Sequence, residues 1–246
     1  MRKTILYSVF FILIIGAIGG FYMYHVLTVE SKVINEETFE NIKHLSVNTS
    51  TIDVEMKASK DSAVHVELIG NKKQKTSPKL VTSTSKDQLN IEVQEVQKSK
   101  WMNASFTPNA NKLIITVPEQ LIQTIKSKSD TGNLMIEGVK VEKFLIQTDV
   151  GNIHFKDTTG AYTIESTTGS IKMEVDDILH PLSIASDSGD IQLQTKQKPT
   201  DTIIRAKTHS GKVSIYNEQL DSTVFGEGQN KIELYTTSGD ISVNTK

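Results

Sequence analysis

The residues with chemical potential in this chain sit at a recurring corner. Six glycines mark it, Gly132, Gly151, Gly169, Gly189, Gly211 and Gly239, in the strings SDTGNLMI, TDVGNIHF, STTGSIKM, SDSGDIQL, THSGKVSI and TTSGDISV. Two positions before these glycines stand Asp130, Asp149, Thr167, Asp187, His209 and Thr237. The position just after holds Asn133, Asn152, Ser170, Asp190, Lys212 and Asp240. Carboxylates aligned on stacked coils can hold Ca²⁺, which takes about 6–8 oxygen ligands. Asp130, Asp149, Asp187 and Asp190 are the calcium candidates. Thr167 and His209 interrupt the run, and the G-G-x-G-x-D calcium repeat is absent. Asp and Asn also favour tight turns, by bonding their own backbone. The sequence therefore assigns these acids to turn chemistry and no metal site. The six glycines are assigned a structural role, each supplying a backbone conformation, with φ > 0, that a Cβ would resist.

Other constellations fall away on spacing. The six histidines, at 25, 44, 65, 154, 180 and 209, form neither HExxH nor H-x₃₋₅-H. There is no cysteine, which removes disulfides, Cys-zinc sites, thiol nucleophiles and a lipidated Cys. No G-x-S-x-G elbow and no G-x-x-x-x-G-K-[ST] phosphate loop occurs. Carboxylate pairs such as Asp176 with Asp177, and Asp187 with Asp190, resemble the acidic clusters of polysaccharide-cleaving β-helices, but any solvated β-surface supplies as many. No catalytic residue and no cofactor are assigned. Glycan binding favours exposed aromatics, for which Trp101, Phe106, Tyr216 and Tyr235 are the candidates. Lys and Arg number 27 against 29 Asp and Glu, so no basic excess points to nucleic acid.

The elements that position the corners are strands. Two residues after each Gly stand Leu134, Ile153, Ile171, Ile191, Val213 and Ile241; four after stand Ile136, Phe155, Met173, Leu193, Ile215 and Val243. Seven before stand Ile125, Phe144, Tyr162, Leu182, Ile204 and Ile232, and five before stand Ser127, Ile146, Ile164, Ile184, Ala206 and Leu234. Three before is always hydroxylated: Ser129, Thr148, Ser166, Ser186, Thr208 and Thr236. Apolar and polar residues alternate on both sides of the Gly, which is strand periodicity. Each unit reads as strand, tight corner, strand, and stacking successive units buries the apolar rungs in one core. The Ser/Thr rung can bond along the stack or to the corner backbone. The expected fold is all-β: a single-stranded parallel β-helix or β-solenoid with coils of about 20 residues. A β-sandwich with similar turns is the alternative.

Residues 119–246 carry these regular Gly-corner coils. Upstream, 39–118 reads as irregular early coils with longer loops. Leu45, Val47, Ile52 and Val54 flank a corner at Asn48 to Thr51, and Val64–Leu68, Leu89–Val93 and Leu113–Val117 are further strands. Ahead of them, residues 5–27 are almost wholly apolar. As a helix they would rise about 34 Å, enough for a hydrocarbon core of about 30 Å. Arg2 and Lys3 keep residues 1–4 in the cytoplasm and send the rest outward. The run is longer than a signal-peptide core and lacks an A-x-A-like site. The expectation is a single-pass membrane protein with a transmembrane helix at 5–27, a polar stalk at 28–38 and an extracellular domain at 39–246.

A strand ending Leu113-Ile-Ile-Thr-Val-Pro118, the serial T/S-x-S-G-x-I corners and the closing Phe225-Gly-Glu-Gly228…Ile232 to Val243 segment together resemble the bacterial "putative adhesin" family of unknown function, over about residues 39–246. With one N-terminal membrane helix, the chain is most similar to the LiaG proteins of cell-envelope stress operons. The resemblance implies a β-solenoid outside the membrane and no known activity. The expected role is a non-catalytic interaction module of the cell envelope, in envelope stress, whose partners are the bilayer through 5–27 and another envelope protein or a wall polymer. An adhesin or wall-polymer binder is the second reading, and a glycan-cleaving enzyme the third.

Overall fold

The computed structural model describes residues 32–70, 78–94, 111–119 and 122–246. The apolar run 5–27, residues 1–4, Trp101 and Phe106 lie outside them. Among the described residues no helix is long and apolar enough to cross a membrane. The described chain is all-β.

Seven strands make the early part: β1 (Lys32–Glu40), β2 (His44–Thr51), β3 (Asp53–Ser59), β4 (Ala63–Gly70), β5 (Lys79–Ser85), β6 (Gln88–Gln94) and β7 (Lys112–Pro118). The Gly-corner units follow as strand pairs. They are β8 (Thr124–Thr131) with β9 (Leu134–Glu137), β10 (Lys140–Val150) with β11 (Ile153–Lys156), β12 (Thr159–Thr168) with β13 (Ile171–Glu174), and β14 (Leu182–Ser188) with β15 (Ile191–Thr195). Then come β16 (Thr202–Ser210) with β17 (Val213–Ile215), the lone β18 (Ser222–Phe225), and β19 (Asn230–Ser238) with β20 (Ile241–Thr245).

Each unit gives one strand to each of two facing ten-stranded sheets. The leading sheet carries the strands that run into the corners, in the order β18-β16-β19-β14-β12-β10-β8-β2-β6-β5. The trailing sheet carries those that leave them, in the order β1-β4-β7-β3-β9-β11-β13-β15-β20-β17. Through the middle the pairing is parallel, and on the trailing sheet it is unshifted, so Ile153 lies between Leu134 and Ile171, and Ile171 beside Ile191. Every apolar residue named in the four rungs is buried between the sheets except Val213, which is partly buried. Phe144 stacks on Tyr162, its rung neighbour, at 5.0 Å, and Phe155 of the opposite sheet meets both edge-on at 5.3 Å. Such offset and edge-on pairs add about 0.5–1.5 kcal/mol each beyond area burial.

All six corner glycines, Gly132, Gly151, Gly169, Gly189, Gly211 and Gly239, stand at positive φ between the paired strands, as the sequence pattern requires. The corner needs glycine for two reasons, shown at Gly151. Its φ is 149°, in the region L side chains avoid, and a Cβ there would collide with the carbonyl oxygen of Gly132 on the next coil. The glycines stack in the same way along the column, Gly169 on Gly151 and Gly189 on Gly169. At the C-terminal end the column departs from chain order: Gly211 stacks on Gly239, and Gly239 on Gly189. Ile52 occupies the corner place on the β2–β3 unit without a left-handed backbone, because Thr51 pairs with Thr131 and Val54 with Leu134. The early corner is therefore at Ile52. Asn48 to Thr51, the corner expected from the sequence, is the end of strand β2; its alternation continues to Thr49.

Three further expectations are corrected. Residues 32–38, given to the stalk, belong to β1, which pairs antiparallel with β4 as an edge strand, with Phe39 packed against the core. The stack is not parallel throughout: β1, β4, β5 and β18 run antiparallel to their neighbours at its two ends. The coils also do not stack in chain order. β19–β20 inserts between β14–β15 and β16–β17, so Gly211 is separated from Gly189 by Gly239, and β2–β3 lies between β8–β9 and the strands β6 and β7. The reason at the C-terminal end lies in the long interval between Gly211 and Gly239. Those extra residues form β18, which folds back antiparallel on β16 and caps its outer edge. Gly226 and Gly228, at φ 59° and 70°, then turn the chain into β19. Ile232 and Leu234 complete the core rungs between Leu182, Ile184 and Ile204, Ala206.

Candidate functional site

Two rows of corner residues have different fates. The residue after each Gly is tied to the neighbouring coil. The Asp53 carboxylate accepts the Asn133 N–H at 2.8 Å, the Asn133 side-chain oxygen accepts the Asn152 N–H at 3.0 Å, and Asn152 accepts that of Ser170 at 3.0 Å. On the far side of Ser170 the Asp190 carboxylate accepts the Asp240 N–H, and Asp240 that of Lys212, both at 2.8 Å. The N–H after a corner is otherwise orphaned, and this side-chain ladder satisfies it. Asp190 is thus engaged by backbone. The row two before the Gly points outward from the leading sheet. Asp130 and Asp149 lie on adjacent rungs there, and Asp187 lies between Thr167 and Thr237, with Thr237 in the place expected for His209. Among the described residues no group of three His, Asp or Glu side chains is placed to hold a metal ion.

The outer faces of the two sheets differ, through the middle of the stack, in how their charges are met. On the trailing sheet, Glu137 pairs with Lys156 at 2.6 Å and Glu174 with Lys172 and with His154, and just past its strands Asp176 pairs with Lys196 at 2.6 Å. The Lys156 ammonium holds the Glu137 carboxyl below its usual range, and Glu137 raises Lys156 in return. Glu55, buried on the same sheet, contacts both Lys57 and Lys112. On the leading sheet, Asp149, Glu165 and Asp187 are exposed and have neither an ion pair nor a hydrogen bond among the described residues. Its ion pairs there lie further along, where Glu233 meets Lys231 at 2.7 Å and Arg205 at 3.9 Å.

Those three carboxylates border a shallow groove of about 260 Å³, together with Gln147, Thr167 and Tyr235. One outward row crosses it as Gln147, Glu165, Ala185, Tyr235 and then Lys207. Ala185 is the small member of that row and leaves the Tyr235 ring open on one side. Tyr235 is 42% exposed, and its hydroxyl lies 3.4 Å from that of Thr237. A second groove of about 400 Å³ continues beyond it, sharing Ala185 and Tyr235 and adding Arg205, Lys207 and Glu233. Of the sequence's aromatic candidates, Tyr235 stands in this groove. Tyr216 is half-buried at the far end of the stack, against Phe225 and under the Lys198 ammonium. The sequence could not have found the groove, because Tyr235 joins Ala185 only through the exchanged coil order.

One further cluster was not legible. His65 Nδ1 lies 3.1 Å from the Thr38 hydroxyl and Nε2 lies 2.6 Å from Asp61, whose carboxyl the imidazole holds low. Hydroxyl, imidazole and carboxylate in line is the order of an activated nucleophile. Here Thr38 and His65 are directly opposed residues of the antiparallel β1–β4 pair, so the contact braces an edge strand.

A stack of Gly-cornered coils closed by antiparallel strands, with a grooved polar face, defines the class. The Toastrack DUF4097 family model matches residues 42–161 and again 122–244, and the chain belongs to that family. Among solved structures it is similar to a "putative cell adhesion protein" from Clostridium sporogenes, at 15% identity and a TM-score of 0.54, covering 88% of this chain and 100% of that one. It is also similar to a "putative adhesin" from Bacteroides fragilis, at 12% identity and a TM-score of 0.39, covering 89% and 99%. The first likeness bears on the fold alone. No curated protein matches the chain.

Proposed function

We propose that this protein is a non-catalytic interaction module of the bacterial cell envelope, its Toastrack domain held outside the cytoplasm by a membrane helix at residues 5–27. The apolar run and the preceding Arg2 and Lys3 support the anchor and its direction. The observation that carries the interaction reading is the contrast between the faces. In the middle of the trailing sheet Glu55, Glu137 and Glu174 are met by bases of the same sheet, whereas the acids around Tyr235 are left for a partner. These acids stand exposed on a shallow face, without the apolar wall that keeps a glycosidase acid protonated. The resemblance of the sequence to LiaG proteins supports envelope stress as the setting, and an adhesin or wall-polymer binder is the same reading with a different partner.

The chain has no cysteine, which makes the test clean. A single Lys128→Cys substitution on the outer leading face should react with a membrane-impermeant maleimide in intact cells. Labelling only after lysis would refute the topology. A photocrosslinking residue in place of Tyr235 should form adducts in intact cells that the same residue at Lys172 does not. Equal yields, or none at either position, would refute the interaction face.

A further inference from the structure

We infer that the groove beside Tyr235 binds a glycan that carries amino groups; the inference rests on the interaction reading and names its ligand class. Four observations carry it. The groove crosses β10, β12, β14 and β19, which are internal strands paired on both sides. An extended peptide placed there finds no free backbone N–H or C=O to pair with, the main source of affinity in strand addition. Recognition on this face must come from side chains, and they repeat at the rung spacing of about 4.8 Å. The outward row Asp149, Thr167, Asp187 and Thr237 offers an oxygen-bearing side chain at each step, which suits a polymer of repeating units. The side chains are also of the right kind. The open ring of Tyr235 gives an apolar platform for the C–H face of a sugar, while Gln147, Thr167 and the carboxylates bond hydroxyls.

Charge selects among glycans. The lining of this groove holds Asp149, Glu165 and Asp187 and no base, and all three lack partners among the described residues. A neutral or acidic sugar would leave them uncompensated. An ammonium group answers them and is drawn to the face of the Tyr ring as well. The site also has a boundary. Beyond Tyr235 the row continues to Lys207, with Arg205 beside it in the second groove. Those cations repel a polyamine chain, so the bound stretch ends at Tyr235 and lies over β10, β12 and β14.

The test is calorimetric titration of the full-length protein in detergent micelles with a glucosamine hexamer, its N-acetylated counterpart and hexalysine. The free-amine sugar should bind, and the N-acetylated one at least tenfold more weakly. Tyr235→Ala, and the pair Asp149→Asn with Asp187→Asn, should each weaken binding at least tenfold, with the melting temperature unchanged. Lys126→Ala, elsewhere on the same face, should bind as the parent does. Equal affinity for the two sugars overturns the charge argument, and hexalysine binding as tightly as the sugar overturns the glycan. Absence of sugar binding overturns the inference outright. If the crosslinker at position 235 still forms adducts in cells, the interaction reading survives that failure; if it does not, both fall.

Discussion

Thr236 donates its hydroxyl to the carbonyl of Gly189, 3.1 Å away on the neighbouring coil and 47 residues earlier in the chain. Thr208 makes the equivalent bond to Gly239 at 2.9 Å. The corner carbonyl that forbids a Cβ on the next glycine, Gly239 in the first case and Gly211 in the second, is thus bonded by the hydroxyl three residues before that glycine. This is the use of the Ser/Thr rung. In the other coils the rung is occupied by Thr49, Ser129, Thr148, Ser166 and Ser186, each buried with its hydroxyl unpartnered.

That difference gives a stability prediction. Thr236→Val keeps the shape and leaves the Gly189 carbonyl without its donor, which should cost about 1–3 kcal/mol. Ser166→Ala removes a buried hydroxyl that has no partner and should cost distinctly less. Thr237→Val, at the exposed neighbour, should stay within about 0.5 kcal/mol. Urea titrations of the three variants check the order. Equal losses at 166 and 236 would show the same bond in both coils.

The core rungs make a second set. Ile171 and Ile191 are fully buried partners on adjacent strands. Either one changed to Ala should cost about 2–5 kcal/mol. Gln192→Ala, one position on and exposed, should cost no more than about 0.5 kcal/mol. Similar losses at 191 and 192 would place the wrong face inside.

Burial pushes the Tyr162 phenol up to about 12, against which its bond with Thr158 at 3.0 Å acts weakly. The unfolded phenol titrates near about 10. Between these values the native state binds the extra proton, so stability is fully present below about pH 10 and falls as pH rises toward 12. The slope approaches about 1.4 kcal/mol per pH unit for one such group. Tyr162→Phe keeps the ring stacked on Phe144 and should flatten that alkaline loss. Denaturation midpoints measured from about pH 9 to about pH 11 in both proteins decide it.

Calcium removal should leave the melting temperature unchanged. Specific calcium at a hundredfold excess over Kd would add about 2.7 kcal/mol, several degrees in a melt. Asp190 already accepts the Asp240 N–H, and Asp187 has threonines on both neighbouring rungs. Asp130 and Asp149 are the adjacent carboxylates, and two ligands fall short of calcium's usual number. A melt lowered by chelator, and no longer lowered in Asp130→Asn with Asp149→Asn, would restore the metal site.

Much of this was legible because it is local. Alternation about a glycine fixes which side chains face inward, and Ile171 and Met173 after Gly169, like Leu193 after Gly189, lie where the pattern put them. The corner at Ile52 was displaced because the glycine signal is missing and only the pairing of Thr51 with Thr131 locates it. Residues 32–38 read as stalk because an edge strand with one half-buried Phe shows little apolar alternation. The groove was illegible for a deeper reason. Periodicity states that rungs stack and says nothing about which rung is next, so the corner at Gly211 carries no sign that its neighbour is Gly239 rather than Gly189.

The coil order can be tested directly, again because the chain lacks cysteine. Ser183 lies opposite Glu233 on the adjacent strand, and Arg205 opposite Glu233 on the other side. Adjacent parallel strands are about 4.8 Å apart, within the Cα range of a disulfide, whereas two rungs are about 9.6 Å apart and outside it. Ser183→Cys with Glu233→Cys should therefore oxidise readily, and Ser183→Cys with Arg205→Cys should not. Stacking in chain order reverses both results, since β14 would then lie beside β16. The exchanged order also accounts for a C-terminal strand that is no edge: β20 is bonded on one side to β15 and on the other to β17. Hydrogen exchange should accordingly protect the amides of Ile241 and Val243 as strongly as those of Ile191 and Leu193. Fast exchange at β20 with slow exchange at β17 would place the last strand outside the stack and overturn the arrangement.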